Sequence, residues 1–186
     1  MLGGSSNLFN AHIVKIIKQL NVKQVLELGC GTGKFSRIIS DHSVEITAVQ
    51  KLFNPGEQEM LHQAGYKQII DLDILDYFRV GFDEQYDAVV ILDVIEHFLL
   101  GDALSILTFA LYRANWVLVA WPSKHPQMAS PHAFDRHRCS LELKDLTSHF
   151  DVVFYSQTGF AQVHFLHRYH LVLMRGYMNP QTTLPL

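Results

Sequence analysis

The stretch Val25-Leu26-Glu27-Leu28-Gly29-Cys30-Gly31-Thr32-Gly33 decides the fold of this chain. Its apolar start predicts a buried strand, and the three alternate glycines that follow predict a tight turn. Because glycine has no Cβ and adopts positive φ readily, the backbone of such a turn can approach a bound ligand closely. A helix is predicted directly afterwards, from Gly33 to Ser40. The order of strand, glycine turn and helix therefore predicts a cradle for a cofactor.

Alternating strands and helices are predicted along the rest of the chain. Hydrophobic patterning predicts strands at 22–28, 44–49, 68–72, 86–92, 116–120, 152–156 and 166–174. Helices are predicted at 8–20, 33–40, 54–65, 94–114 and 141–150, with Asn7 and Ser140 as caps of the first and last, and Gly101 as a break in the fourth. Trp121-Pro122 is expected to end the fifth strand. Strands separated by helices predict an α/β fold with a mainly parallel sheet.

The composition is that of one folded domain. With 48% hydrophobic residues, a chain of 186 residues can bury one continuous core, so residues 1–186 are expected to form a single domain with peripheral tails at 1–7 and 177–186. The 15 Lys and Arg residues against 18 Asp and Glu residues give a net charge of −3, which argues against broad binding to nucleic acids or anionic membranes. Two cysteines provide no disulfide framework, and neither a signal peptide nor a membrane span is predicted, so we expect a cytoplasmic location.

The spacing of the glycines distinguishes two families of cofactor-binding proteins. A dinucleotide fingerprint, Gly-x-Gly-x-x-Gly, would have its third glycine at the position of Lys34. An acidic residue followed by Gly-x-Gly-x-Gly instead resembles the class I S-adenosylmethionine-dependent methyltransferases, in particular their small, single-domain members of methyltransferase types 11 and 12. The resemblance implies S-adenosyl-L-methionine as cofactor and a Rossmann-like sheet of seven mainly parallel strands flanked by helices, with the last strand antiparallel. It also implies that the methionine end of the cofactor is surrounded by the turn residues Glu27, Gly29, Cys30, Gly31 and Gly33, although for Cys30 simple packing in the loop is the alternative.

Two further segments bear on cofactor binding. The family usually has an acidic residue after the second strand that binds the ribose hydroxyls, but this chain has Gln50, whose amide lacks the charge that strengthens such hydrogen bonds. The acidic and apolar segment 71–76 corresponds to the family's adenine region, with Asp73 as the expected acceptor from the amino group and Ile74 as the ring contact. For Asp71 and Asp76 the simpler interpretation is a solvated strand-end or helix-cap residue.

A second motif, from Tyr86 to His97, resembles the fourth strand of the same family and the segment that follows it. Asp93 would lie at the carboxyl end of this strand, where open α/β sheets bind ligands, and is expected to contact the cofactor. Glu96 and His97 follow at i+3 and i+4, so on a helix the three side chains would share one face. Together they could bind a divalent metal ion or act as acid and base. The alternative is that Glu96 caps the helix and His97 supports the loop.

The spacing of Asp93, Glu96 and His97 also resembles the metal-binding segment of small-RNA 3′-terminal ribose methyltransferases and of quinone-biosynthesis methyltransferases. In the RNA enzymes a histidine after the fifth strand is a fourth ligand, and His132 or His137 would correspond to it. The same residues occur in many family members that bind no metal, so we expect no metal here, and a metal site formed by Asp93, Glu96, His97 and His137 is the alternative. Metal-assisted 2′-O-methylation of RNA therefore stays open as an alternative function.

The segment 122–139 is a long loop rich in proline and histidine, of the kind that often carries function. We expect it to face the methyl acceptor, with His137 and then His97 as the catalytic residues that would act as a base. A solvated or structural role is the alternative for each histidine. Arg136 and Arg138 are candidates to bind an anionic group of the acceptor, with simple surface exposure as the alternative. Trp121 and Phe134 are candidates to offer an aromatic face to the sulfonium or to a flat acceptor, with core packing as the alternative.

Together these features predict a methyltransferase that acts on an unidentified small or medium acceptor, such as a biosynthetic intermediate. The amide at Gln50 favours a second hypothesis, a non-catalytic cofactor-binding or regulatory protein. A nicotinamide-dependent oxidoreductase is disfavoured, because Lys34 stands where the dinucleotide fingerprint requires glycine.

Overall fold

The computed structural model describes residues 7–39, 43–52, 54–81, 83–123, 137–162 and 165–179, with backbone alone at 159–162 and 165–167. Its helices are α1 (Asn10–Gln19), α2 (Lys34–Ile38), α3 (Glu57–Gln63), α4 (Ile74–Val80), α5 (Leu100–Arg113) and α6 (Leu143–Thr147), and a 3₁₀ turn spans Ile95–His97. Its strands are β1 (Gln24–Leu28), β2 (Glu45–Val49), β3 (Gln68–Ile70), β4 (Tyr86–Leu92), β5 (Ala114–Ser123), β6 (Val152–Gln162) and β7 (Phe165–Arg175). None of the helices in these ranges has the length and apolar character that crossing a membrane requires.

The seven strands form one sheet in the order β3-β2-β1-β4-β5-β7-β6. Strands β1 to β5 run parallel, and β7 pairs antiparallel with both β5 and β6. The Rossmann-like fold, including its antiparallel last strand, is therefore confirmed. The chain places β2 and β3 on one side of β1 and then returns to place β4 on the other side. Open α/β sheets bind ligands at such a reversal of strand order, outside the carboxyl ends of the strands.

Alternate side chains of the strands pack into two hydrophobic cores, one on each face of the sheet. Val25 belongs to the core that α1, α2 and α3 cover, whereas its neighbour Leu26 belongs to the core that α4, α5 and α6 cover. This alternation follows from the two-residue period of a strand, and parallel sheets are normally covered on both faces in this way. The carboxyl edge of β1 and β4 consequently lies between two layers of helices.

Two predictions about where elements end are wrong. Trp121-Pro122 does not end β5, which continues to Ser123. The neighbouring strand β4 ends opposite Ala120, so beyond that point one side of β5 is an edge, where a proline without an N–H is tolerated. Gly101 does not break a helix but lies inside α5, and the interruption falls at Phe98 and Leu99.

The predicted helix caps are also wrong, and one helix is missing from the prediction. The residue that caps α1 is Phe9 rather than Asn7, and the residue that caps α6 is Glu142 rather than Ser140. Helix α4 has no counterpart among the predicted helices. It begins after Asp73, whose carboxylate accepts a hydrogen bond of 2.8 Å from the backbone N–H of Leu75. The acidic segment 71–76 thus contains a helix N-terminus.

Candidate cofactor and active site

The glycine turn lies at the carboxyl end of β1, at the reversal of strand order. Gly29, Gly31 and Gly33 adopt φ values of 73°, 55° and 82°, a region that L-residues seldom occupy. The N–H of Gly29 donates to the carbonyl of Val49 on β2 over 2.9 Å, and the N–H of Gly33 donates to the carbonyl of Cys30 over 2.8 Å. The turn is therefore fixed to the sheet by its own backbone.

The three glycines differ in what surrounds them. A Cβ on Gly29 would lie 2.5 Å from Cγ2 of Val94, and a Cβ on Gly33 would lie 2.9 Å from Cβ of Ala64, so packing within the protein excludes larger residues there. A Cβ on Gly31 would meet no described atom within 4 Å. Gly31 therefore faces open space, and this space is available to a ligand.

Two cavities meet at the glycine turn, and both are lined by Gly29 and Gly31. We call the first the apolar cleft. It has a volume of about 390 Å³, and its wall includes Ile74, Leu75, Val94, Phe98 and Leu99, with Gln50 and Asp73 among its polar groups. We call the second the charged cleft. It has a volume of about 330 Å³, and its wall includes Asn7, Glu27, Lys34, Arg37 and Asp93.

Gln50 is engaged by the backbone of the glycine turn. Its Oε1 accepts hydrogen bonds from the N–H of Gly31 (2.5 Å) and from Sγ of Cys30 (3.4 Å), while its Nε2 donates to the carbonyl of Gly31 (3.3 Å). Both ends of the amide thus hold the turn in place, and among the described residues only one N–H of Nε2 has an acceptor. A carboxylate at this position would lack the donor that the carbonyl of Gly31 receives.

Glu27 is a buried acid behind the glycine turn. Its side chain is 3% exposed, and its Oε2 accepts a hydrogen bond of 2.5 Å from the hydroxyl of Tyr66. Burial raises the pKa of Glu27 to about 8, while the hydrogen bond from Tyr66 acts in the opposite direction. Burial also raises the pKa of the Cys30 thiol, which makes this cysteine a poor nucleophile.

Asp93 and Lys34 lie together on the wall of the charged cleft. Asp93 follows β4 with a φ of 56°, and its N–H donates to the carbonyl of Ala120 over 2.9 Å. Partial burial lowers the pKa of Lys34, and the nearby carboxylate of Asp93 acts in the opposite direction. Lys34 and Asp93 thus place a cation and a carboxylate on this side of the turn.

The 3₁₀ turn after β4 brings Glu96 and His97 next to His137. Oε1 of Glu96 lies 4.0 Å from Nε2 of His97 and 3.9 Å from Nε2 of His137, and the two imidazoles meet edge to face with centroids 5.1 Å apart. One ligand atom from each of the three residues lies within 4.8 Å of the other two. Glu96 is 2% exposed, and its Oε2 has no hydrogen-bond partner among the described residues. Burial raises the pKa of Glu96 well above its usual range, and Asp93 raises it further.

Backbone hydrogen bonds hold His137 in this position. The N–H groups of Arg138 and Cys139 both donate to the carbonyl of Glu96, over 2.8 Å and 3.3 Å. The segment that begins at His137 therefore lies against the 3₁₀ turn, and Arg138 lines the apolar cleft beside His97. A carboxylate between two imidazoles can hold a divalent cation or orient the histidines as bases.

The sequence of this sheet and turn matches a known domain family. A family model described as a methyltransferase domain matches residues 26–113, which include the glycine turn, β4 and the 3₁₀ turn. Over these residues the chain carries a methyltransferase domain of the class I S-adenosylmethionine-dependent type. S-adenosylmethionine is the cofactor of this domain family.

Solved structures share the fold of this methyltransferase. The N-terminal domain of EvdMO1, solved with SAH bound, has a TM-score of 0.64 and 12% identity, over 92% of this chain and 82% of that chain. The N-methyltransferase NodS from Bradyrhizobium japonicum WM9 has a TM-score of 0.61 and 16% identity, over 92% of this chain and 98% of that chain. The methyltransferase domain of bacterial CtHen1-CN has a TM-score of 0.60 and 20% identity, over 89% of this chain and 96% of that chain. Among curated protein sequences, none matches this chain.

Most of the residues predicted from the sequence line the two clefts of the methyltransferase. The expected cofactor residues Glu27, Gly29, Cys30, Gly31, Gln50, Asp73, Ile74 and Asp93 all do so, whereas Gly33 packs inside the protein. Glu96, His97 and His137 come together, but Asp93 is not part of that group. His132, Phe134 and Arg136 lie outside the described residues.

Three further residues of the methyltransferase site are not predicted by any sequence pattern. Tyr66 is 39 residues from its partner Glu27, and no local pattern connects them. Phe98 and Leu99 line the apolar cleft, although the helical pattern at 94–114 gave no sign that they stand at an interruption. Trp121, a candidate for an aromatic face, is fully buried instead, and its Nε1 donates to the carbonyl of Leu141.

Proposed function

We propose that this chain binds S-adenosylmethionine across Gly31 and transfers its methyl group to a small or medium acceptor. The observation that carries the proposal is the open space at Gly31, where the apolar and charged clefts meet. A ligand that fills both clefts must pass close to this backbone, and only a residue without a Cβ leaves room for it. The cofactor fits this arrangement because it joins an adenosine, with its flat adenine ring, to a charged amino acid.

The apolar cleft suits the adenosine end of the cofactor. Ile74 and Phe98 offer apolar surface to the adenine ring, and the carboxylate of Asp73 can accept from its amino group while it also caps α4. The second N–H of Gln50 Nε2, which has no acceptor among the described residues, can donate to a ribose hydroxyl. Gln50 thus contributes to the shape of the turn, and it offers the ribose hydroxyls weaker hydrogen bonding than a carboxylate would.

The charged cleft suits the methionine end of the cofactor. An amino acid carries an ammonium and a carboxylate group, and this cleft provides Glu27 and Asp93 for the first and Lys34 for the second. The opposite arrangement would place adenine among these charges, and adenine would desolvate them without adding a charge of its own. Lys51, Glu57 and Asp102 also line the apolar cleft, but only that cleft adds the apolar surface of Ile74, Leu75, Phe98 and Leu99. This difference in apolar surface favours the proposed orientation of the cofactor.

His97 and His137 are the proposed catalytic residues. Bound S-adenosylmethionine supplies an electrophilic methyl group on a sulfonium, which an in-line nucleophile takes as the carbon–sulfur bond breaks. An oxygen or nitrogen acceptor that is still protonated must lose its proton, and the imidazoles of His97 and His137 can receive it. Arg138, on the wall of the apolar cleft, can hold an anionic group of the acceptor.

A crystal structure with S-adenosylhomocysteine, the product of the cofactor, tests this proposal. We expect adenine against Ile74 and Phe98, the amino acid end beside Glu27, and the sulfur near Gly31. Adenine in the charged cleft, or a ligand that avoids Gly31, would overturn the proposal.

A second candidate function is metal-assisted methyl transfer to a ribose hydroxyl of RNA, and the group formed by Glu96, His97 and His137 favours it. A divalent ion would meet two imidazoles and one carboxylate, a set of ligands that suits Zn²⁺, Co²⁺ or Mn²⁺. The unpartnered Oε2 of Glu96 fits such an ion, because a buried carboxylate oxygen normally has a partner. When bound, the ion would lower the pKa of a coordinated hydroxyl.

Titration with metal separates the two candidates. If the second function holds, the wild type binds one Co²⁺ ion per chain and shows the absorption spectrum of a cobalt–imidazole complex. The variants His137→Ala and Glu96→Gln should lose that spectrum. Lys144→Ala is a matched control on the exposed surface. If the wild type gives no Co²⁺ spectrum and binds neither Zn²⁺ nor Mn²⁺, the second candidate fails and the two histidines remain as bases.

A further inference from the structure

Tyr66 is a buried residue that contacts both ends of the glycine turn. It lies between α3 and β3 and is 3% exposed. Its hydroxyl donates to Oε2 of Glu27 over 2.5 Å, and its Cε2 lies 3.1 Å from the place that a Cβ on Gly33 would occupy. Tyr66 thus fixes Glu27 from behind the charged cleft while its ring packs against the end of the turn.

The surroundings of Glu27 favour its protonated form in the chain without cofactor. Burial raises the pKa of Glu27 to about 8, and burial also raises the pKa of Tyr66, so the tyrosine remains the hydrogen-bond donor. The other titratable groups around the cleft are Cys30 in the turn, Lys34 and Arg37 on α2, and Asp93 after β4. With this pKa, roughly nine-tenths of the Glu27 carboxyl groups hold a proton at pH 7.

We propose that Tyr66 is a positioning residue for the cofactor, which holds Glu27 so that its carboxylate receives the ammonium group of the amino acid end while the proton of Glu27 leaves to solvent. This inference rests on the proposed function. The proton balance is simple, because one proton passes from the carboxyl group of Glu27 to the buffer and no other bond changes. An ammonium group close to the carboxylate favours its charged form, and the Tyr66 hydroxyl stabilises that form further.

Calorimetric titration with S-adenosylhomocysteine in buffers of different ionisation enthalpy tests the inference, because it counts the protons released on binding. The wild type should release close to one proton per ligand at pH 7 and almost none well above pH 8. The variant Glu27→Gln should release no proton from this position. Any proton that it still exchanges on binding comes from the ligand or from other groups and is subtracted from the wild-type value.

Tyr66→Phe keeps the ring against Gly33 and removes only the hydroxyl. We expect the midpoint of proton release to move to a pH about one unit higher, and the affinity at pH 7 to fall about tenfold. A merely structural role would weaken binding equally at every pH and leave the midpoint unchanged. If Tyr66→Phe does not fold, the comparison of the wild type with Glu27→Gln still decides whether Glu27 gives up a proton.

The outcomes separate this inference from the proposed function. Binding without proton release by the wild type, or an unchanged midpoint in Tyr66→Phe, would overturn the inference and leave the cofactor site intact. No binding of S-adenosylhomocysteine at any pH would instead overturn the proposed function.

Discussion

Gly31 and Gly33 are chemically identical but have different tasks. Both adopt positive φ, yet Gly33 packs against Ala64 and Tyr66, whereas Gly31 faces the space between the two clefts. A methyl group at either position meets the cost of a left-handed backbone, about 1–2 kcal/mol. Only at Gly33 does it also collide with the protein.

Alanine substitutions should separate these tasks. Gly33→Ala should destabilise the protein by roughly 2–4 kcal/mol, since overpacking adds to the backbone strain. Gly31→Ala should cost about 1–2 kcal/mol and abolish binding of S-adenosylhomocysteine, because the new methyl group occupies the ligand's space. Urea unfolding and calorimetric titration of both variants measure the two effects. Retained binding in Gly31→Ala would show that the ligand does not pass this residue.

Glu27 should make stability depend on pH. Its pKa is about 8 in the folded chain, above its ordinary value of 4.5, so the folded state holds a proton that the unfolded state releases. The stabilisation is complete below pH 4.5 and is lost as the pH rises through 8. The unfolding free energy of the wild type, measured against Glu27→Gln by urea titration, should therefore fall by a few kcal/mol between these limits. A difference that is constant or rises with pH would contradict the assignment.

At the residue scale, the sequence located the turn but not its support. Glu27 and the glycines are adjacent in the chain, so their pattern is visible to local reasoning. Tyr66 reaches Glu27 only because α3 and β3 pack beside β1, and this contact depends on tertiary structure. The hydrogen bonds by which Gln50 holds the glycine turn could not be predicted either, since they go to backbone atoms 19 residues away in the sequence.

At the scale of elements, two anchors hold the segment that carries His137. The carbonyl of Glu96 receives the N–H groups of Arg138 and Cys139, and Nε1 of Trp121 donates to the carbonyl of Leu141 over 2.8 Å. The segment therefore bridges the 3₁₀ turn and β5. These hydrogen bonds contribute to its position.

Trp121→Phe tests the second anchor. The substitution leaves the buried carbonyl of Leu141 without its donor, which costs about 1–3 kcal/mol beyond the loss of ring volume. Trp116→Phe is the matched control, because Trp116 is also buried on β5 and loses the same volume. Urea unfolding should find Trp121→Phe the less stable of the two variants. Equal destabilisation would mean that the hydrogen bond contributes nothing.

Element prediction succeeded where periodicity is strong and failed where tertiary contacts decide. The predicted bounds of β4 are those observed, because a long apolar run leaves no alternative. Pro122 does not end β5 as predicted. A proline is tolerated there because β4 no longer pairs with β5 beyond Ala120, and the sequence of β5 alone does not show this. The sequence pattern does not predict helix α4, because the helix is short and begins within the acidic segment 71–76, which also fits the end of a strand.

At the scale of the whole molecule, the order of strands places the site. The reversal at β1 opens the carboxyl edge of the sheet between two layers of helices, and the glycine turn divides that opening into an apolar and a charged cleft. The alternation of strands and helices predicted an α/β fold with a mainly parallel sheet, and the family resemblance implied seven strands with an antiparallel last strand. The acceptor could not be predicted, because the pattern that forms the sheet carries no information about it.

Calorimetric titration of the wild-type chain with S-adenosylhomocysteine and, separately, with NAD tests the central claim most directly. We predict one S-adenosylhomocysteine bound per chain and no binding of NAD, because the turn lacks the third glycine of a dinucleotide site at Lys34. Binding of NAD without binding of S-adenosylhomocysteine would contradict the assignment of the two clefts to this cofactor.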